Sequence, residues 1–208
     1  MSSIVLTADT LLGTTPTIGS VEFDGKAFYN TAQGTQRGVI PGAQFFRLNA
    51  DLAGANVSTA QSVFGVSVTL STSTVYAFEG VYLFTKTAGA TSHTFGTGFG
   101  GSATLNNIGY NAQGSVGAAN PVSSTNFGDL IATSATATAV TAAVSNATAY
   151  AVLKVKGTVS INGGGTFTPQ YILSAAPGGA YSTVAGSYFL IYPIGASGAN
   201  ISVGAWAP

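Results

Sequence analysis

The side chains able to do chemistry are few and scattered. His93 is the single histidine, and beyond Asp51 the only acids are Glu79 and Asp129. A metal centre gathers several nitrogen, sulfur or carboxylate ligands, and here only those scattered acids could join His93. Cysteine is absent, which removes thiolate sites and disulfides and leaves the compartment open. Glycoside hydrolysis needs two carboxylates across the scissile bond, and that pair would have to come from the same thin stock. The expectation is a protein that is not an enzyme, with no catalytic, metal or cofactor site. Glu79 lies among apolar residues of a strand. It is expected either partly buried and paired with Lys86, Lys154 or Lys156, or facing solvent. Gly96-Thr97-Gly98-Phe99-Gly100-Gly101 has the glycine density of a phosphate loop. No lysine follows and no helix start succeeds it, so a bulged strand or a turn is expected there.

The elements that would have to position such groups read as strands. Along Tyr150 to Ile161, Ala151, Leu153, Val155, Gly157, Val159 and Ile161 alternate with Val152, Lys154, Lys156, Thr158 and Ser160, a period of two that gives a buried and a wetter face. Asn162-Gly163-Gly164-Gly165 follows as a tight reversal, then a return strand through Phe167, Tyr171 and Leu173. Pro169 within it suits an edge or bulge. Pro177-Gly178-Gly179 turns the chain again before Ser187–Pro193, so the stretch predicts a three-stranded antiparallel meander. Val75–Phe84 is a long strand with Tyr76, Phe78, Tyr82 and Phe84 on one face. Val75, Ala77, Glu79, Val81 and Leu83 are on the other, and apolar groups on both faces predict a sandwich strand whose outer face meets a neighbour. Phe45–Leu48, Val66–Leu70, His93–Phe99, Thr104–Tyr110 and Ile201–Trp206 read as further strands. Thr59–Phe64 reads as a short helical turn, Asn111–Asn126 as a surface loop, and Ala132–Ala149 as strand and loop. Tyr76, Phe78, Tyr82, Tyr188, Phe189 and Tyr192 could form a sugar-stacking platform, although alternating aromatics more commonly form core.

The first part of the chain differs. Val21–Tyr29 is expected to form a small hairpin about Asp24-Gly25. Glu22, Asp24, Lys26, Arg37, Arg47 and Asp51 concentrate half of the charged side chains between Glu22 and Asp51. Residues 1–37 are thus expected to be an N-terminal arm with a small hairpin, serving as an anchor, the alternative being an ordinary edge hairpin of the same domain, and residues 38–208 a single all-β domain.

Composition narrows the function classes. Of 208 residues, 46% are hydrophobic and 6% charged, against a charged share of about 25% in ordinary soluble domains. A surface so poor in charge predicts burial against copies of the chain or another protein in a permanent assembly. Net charge is zero, so the electrostatic footprint of nucleic-acid binding is missing. No run approaches the roughly 20 apolar residues of a membrane helix. Met1–Asp9 has neither the basic region nor the apolar run of a signal peptide. On that reading the glycosylation-like patterns at Asn56, Asn146 and Asn200 are chance.

The order Val21-Glu22-Phe23-Asp24-Gly25-Lys26-Ala27-Phe28-Tyr29, Gln36-Arg37-Gly38-Val39-Ile40-Pro41 and Phe45–Leu48 resembles a C-terminal β-domain of tailed-phage structural proteins, of the tail-fibre or decoration type. The likeness continues through Thr74–Glu79, Lys156–Val159 and Gly186–Phe189. The later part is also similar to the jelly roll of the C1q and tumour necrosis factor group. That resemblance implies an antiparallel jelly-roll β-sandwich assembled as a homotrimer about a threefold axis, with aromatics at its centre. The contacts it implies are Leu11, Leu12, Ile18, Val21, Phe23, Phe28 and Tyr29 on the arm, with Tyr76, Phe78, Tyr188 and Tyr192 on the domain. Fibre proteins carry a long shaft before this domain, and here only a short arm precedes it. A capsid decoration or cement protein on the virion head is therefore expected, with the major capsid protein or another virion protein as partner. The alternative is a short tail-fibre or spike tip binding host surface glycan through loops such as Asn111–Asn126.

Overall fold

The computed structural model describes residues 15–34, 36–118, 126–198, 200, 203 and 206. They form an all-β, antiparallel structure. Its strands are β1 (Val21–Phe23), β2 (Phe28–Gln33), β3 (Gln36–Ile40), β4 (Gln44–Arg47), β5 (Leu52–Ala53), β6 (Gln61–Ser62), β7 (Val68–Leu70) and β8 (Thr74–Lys86). The second half adds β9 (Phe95–Gly100), β10 (Thr104–Gly117), β11 (Phe127–Ala132), β12 (Thr138–Ala139), β13 (Ala149–Gly163), β14 (Gly165–Leu173), β15 (Ser182–Thr183) and β16 (Tyr188–Ala196).

The larger sheet runs β11-β10-β13-β8. Beyond β8 the next place is shared, β16 pairing with Thr74–Val81 and β15 with Phe84–Thr85, and β4 and β5 close that edge. The facing sheet runs β12-β9-β14, with β6 and β7 on the far side of β14. Alternation along β8 sends Tyr76, Phe78, Tyr82 and Phe84 into the space between the sheets. There Phe78 lies 5.0 Å from Phe99 and 6.1 Å from Phe167, while Phe84 lies 4.8 Å from Tyr171. Such offset and edge-on ring pairs each add about 0.5–1.5 kcal/mol beyond area burial. The cluster they form is the core that joins the layers.

The expected meander is not what forms. β13 and β14 belong to different sheets, and β16 returns to the first sheet beside β8 instead of pairing with β14. The glycine run 163–165 is thus a corner between layers. Its glycines are required by crowding, since a Cβ on Gly165 would come within 2.7 Å of Ala103 N and one on Gly164 within 3.0 Å of Leu70 O. Those neighbours show that the corners β7–β8, β9–β10 and β13–β14 stack at one end of the sandwich. Pro169 sits inside β14, yet β7 pairs with residues 165–167 and β6 with 170–171. Its missing N–H falls at the break between them, where its carbonyl accepts from Val63 N at 3.0 Å.

Other segments also depart from expectation. Gln61–Ser62 is strand and no α-helix occurs among the described residues, so Thr59–Phe64 makes no helical turn. Asn111–Gly117 continues β10 rather than starting a loop; residues 119–125 lie outside the described residues. Small side chains misled the reading there. A Cβ on Gly114 would meet Leu153 Cδ2 at 2.6 Å and Thr141 Cγ2 at 3.1 Å, so that glycine is required because other segments press on the strand there. The expected last strand falls mainly outside the described residues, and Val203 and Trp206 are not in a strand. Gly96–Gly100 lies in β9 and Gly101 in the corner after it.

Candidate interaction surfaces

The N-terminal unit is a three-stranded sheet, β1-β2-β3. The hairpin centres on Asp24, whose Oδ1 accepts from the backbone N–H of Lys26 and of Ala27, each at 2.7 Å. β3 extends to Ile40, so the boundary expected at residue 37 cuts a strand and the unit ends after position 40. Register divides its side chains cleanly. Glu22, Tyr29 and Val39 form one row, with Thr31 and Arg37 on the same face, and Arg37 Nε meets Glu22 Oε2 at 2.7 Å. Phe23, Phe28 and Ile40 form a row on the opposite face, with Val21 beside it. Phe23 and Phe28 stack at 4.5 Å. Val21, Phe28 and Ile40 are exposed, as is Ile18 nearby.

The inner face of this sheet is tied to the sandwich. Tyr29 is buried, and its hydroxyl donates toward Asp24 Oδ2 at 3.0 Å and the Ile194 carbonyl at 3.3 Å. Burial, then the hydrogen bond to Asp24, raises the Tyr29 pKa well above its ordinary value. Lys26 Nζ donates to the Thr72 carbonyl at 2.9 Å. Both tethers reach the corner end of the sandwich. Of the contacts expected on the arm, Val21, Phe23 and Phe28 therefore gather on one face, Ile18 is exposed just before β1, and Tyr29 turns inward. Leu11 and Leu12 lie outside the described residues. Ile40 belongs to the same patch, and only the third strand, which sequence had not paired, brings it there.

Tyr76 and Phe78 correct the expected set. At 4% and 2% exposure they are spent on the core of this chain and touch no surface another molecule could reach. Tyr82 and Phe189 share that core. Tyr188 and Tyr192 are half-buried on the opposite, outer face of the larger sheet, and the six aromatics make no single platform.

That outer face carries two adjacent cross-strand rows. One runs Ile131, Asn111, Lys156, Glu79, Leu190, Phe45 across β11, β10, β13, β8, β16 and β4. The next runs Asp129, Gln113, Lys154, Val81, Tyr188, Arg47 across the same strands. Glu79 is half-buried directly opposite Lys156, yet neither it, Lys154 nor Lys156 makes an ion pair or hydrogen bond among the described residues. Asp129 accepts from the side-chain amides of Asn111 and Gln113. Phe45 stacks on Tyr188 at 5.6 Å. Around the edge, Phe45, Phe46, Phe64 and Val66 line an apolar cleft of about 330 Å³ between β4 and β7.

The remaining titratable cluster holds the other end of the sandwich together. His93 is buried. Nδ1 lies 2.7 Å from the Thr91 carbonyl, which can only accept, so Nδ1 carries the proton. Nε2 then accepts from the Tyr181 hydroxyl at 2.9 Å. Burial lowers the His93 pKa, the Thr91 carbonyl opposes this, and nearby Lys86 lowers it further. Lys86 is itself buried and donates to the backbone carbonyls of Ala88, Gly89 and Asn146, with its ammonium 5.6 Å from the Tyr181 ring centre. Burial lowers its pKa too. The polar atoms of His93, Lys86 and Tyr181 are thus used in structural hydrogen bonds. No group of three or more His, Cys, Asp or Glu that could hold a metal ion occurs among the described residues.

No protein-family model matches the chain, and no curated protein matches it. Among solved structures it is similar to a chain in the structure of the infectious bursal disease virus Gt strain, at 10% identity and a TM-score of 0.15. That alignment covers 88% of this chain and 49% of the other, so the chain spans about half the length of its neighbour. A likeness of this size carries no argument about fold or function.

Proposed function

We propose that the protein is a virion structural protein of a tailed phage, a homotrimeric jelly roll that decorates and cements the head surface. The observation that carries this reading is the two-faced N-terminal sheet. Its inner face is bound to the sandwich through Tyr29 and Lys26, while its outer face offers Val21, Phe23, Phe28 and Ile40 to another surface. An apolar sheet face held rigidly on a charge-poor body suits attachment to a protein shell. Burial at the junction of shell subunits would stabilise the shell in proportion to occupancy. The jelly-roll part of this reading is supported by the sequence resemblance together with the cornered two-layer topology, and the trimer by the resemblance alone.

The test uses the full chain and purified shells. Phe28→Ser and Val21→Asp are expected to abolish co-sedimentation with shells while leaving the sandwich folded, because both positions are exposed. Undiminished binding by both variants would remove the small sheet as the anchor. Binding to host cells or their envelope polysaccharide, with none to shells, would instead favour a short tail tip.

A further inference from the structure

Nearly all the charge of the later chain lies on one face. Beyond Asp51 the charged residues are Glu79, Lys86, Asp129, Lys154 and Lys156. All but the buried Lys86 stand in the two outer-face rows, joined there by Arg47. On a protein so poor in charge, that placement marks a surface that chooses its partner.

The pattern across the six strands is acid on β11, amides on β10, two lysines on β13, acid on β8, Tyr188 and Leu190 on β16, and Arg47 on β4. Reversed left to right, Asp129 meets Arg47 and Lys156 meets Glu79, while Lys154 meets the apolar Val81. A two-fold axis lying in the contact plane, parallel to the strands and passing between β13 and β8, performs that reversal and keeps each row opposite itself. It sets Asp129 against Arg47, Lys156 against Glu79 and Gln113 against Tyr188 of a second copy. It also sets Ile131, 85% exposed, against Phe45, 60% exposed. A two-fold axis across the strands would instead lay Asp129 near Asp129 and the lysines near lysines.

We infer that this outer face binds the same face of a second copy of the chain, with a two-fold axis along the strands. Sheets packed face to face hold their strands within about 30° of each other, which such an axis satisfies. Two side-chain rows across six strands about 4.8 Å apart, flanked on each side by a row across four strands, give roughly 650 Å² per copy, within the ordinary range of a specific interface. Glu79 and Lys156 have no ion-pair partner among the described residues of their own chain. The second copy completes both, while Ile131 and Phe45 close the two edges against water. The contact does not depend on the proposed function. It joins two chains if it acts alone, and joins two trimers if the threefold assembly also forms.

The test is the mass of the full-length chain in solution, by sedimentation equilibrium. The wild type is expected to form a two-chain or six-chain species that weakens as salt rises. Glu79→Lys alone and Lys156→Glu alone should each weaken it on the order of a hundredfold, since the two-fold axis repeats the like-charge contact. Mixed together, these two variants should associate with each other, because both repeated contacts then regain opposite signs. Ile131→Ser changes a side chain that is 85% exposed, is expected to leave the fold intact, and should weaken association about tenfold. A monomeric wild type, a trimer indifferent to Glu79→Lys, or failure of the two charge variants to associate on mixing would each overturn the inference. Because shells are absent, these outcomes are independent of whether the small sheet binds a capsid.

Discussion

The Tyr29 hydroxyl reaches from the N-terminal sheet to the end of β16, lying 3.0 Å from Asp24 Oδ2 and 3.3 Å from the carbonyl of Ile194. One side chain thus closes the hairpin on itself and fastens it to a strand 165 residues away in sequence. The apolar row on the other face can be rigid only if this inner face is held.

Tyr29→Phe keeps the ring and removes the bond. The loss is expected to loosen the small sheet by about 1–2 kcal/mol, the range for a partly shielded hydrogen bond to a charged group. Amide hydrogen exchange should accelerate across residues 21–40 and remain unchanged in β8 and β13. Equal acceleration in both would mean that the two parts unfold together.

His93 sets the pH response. Its folded pKa lies below the ordinary 6.5, so between those values the unfolded chain binds a proton that the folded chain refuses. Stability is therefore complete above about pH 6.5 and declines as pH falls, levelling once the folded-state ring also takes the proton. With only one histidine in the chain, His93→Gln should flatten the dependence of Tm between roughly pH 7 and 5.5. A wild-type Tm that rises on acidification would contradict this.

Tyr82 is fully buried, and its hydroxyl has no hydrogen-bond partner among the described residues. Burial, with a contribution from Tyr110, raises its pKa far above the ordinary value. Removing an unpaired buried hydroxyl relieves its desolvation cost. Tyr82→Phe should then be neutral or stabilise by up to about 1 kcal/mol, read from the urea midpoint. A loss of that size would reveal a bonding partner.

Gly128 lies under the 138–141 segment, where an added Cβ would overlap the Val140 carbonyl, whereas a Cβ on Gly109 would meet nothing within 4 Å. Gly128→Ala should destabilise by about 2 kcal/mol or more through overpacking, and Gly109→Ala should be neutral or slightly stabilising. Thermal unfolding of the two variants side by side makes the comparison.

Much of the secondary structure was legible in sequence, and little of the pairing was. The alternation along 150–161 fixes which side chains share a face, because the period of two is a local property. It does not say whether the next strand joins the same sheet, since a short glycine-rich connection serves a hairpin and a corner equally. That is why β13 and β14 read as neighbours and lie in opposite layers. The charged rows were hidden for the same reason. Glu79, Lys156, Asp129 and Arg47 come together only through five separate strand registers. Asn111–Gly117 misread as loop because small, flexible residues look alike whether they face solvent or lie crushed beneath a crossing segment. The hairpin face was readable up to Phe28, where turn chemistry decides it, and Ile40 was not.

The most direct measurement is the number of copies of this chain per virion, by quantitative mass spectrometry against the major shell protein. A head decoration protein predicts a count in simple proportion to the shell protein. A count of only a few copies would contradict that placement and favour the tail-tip reading.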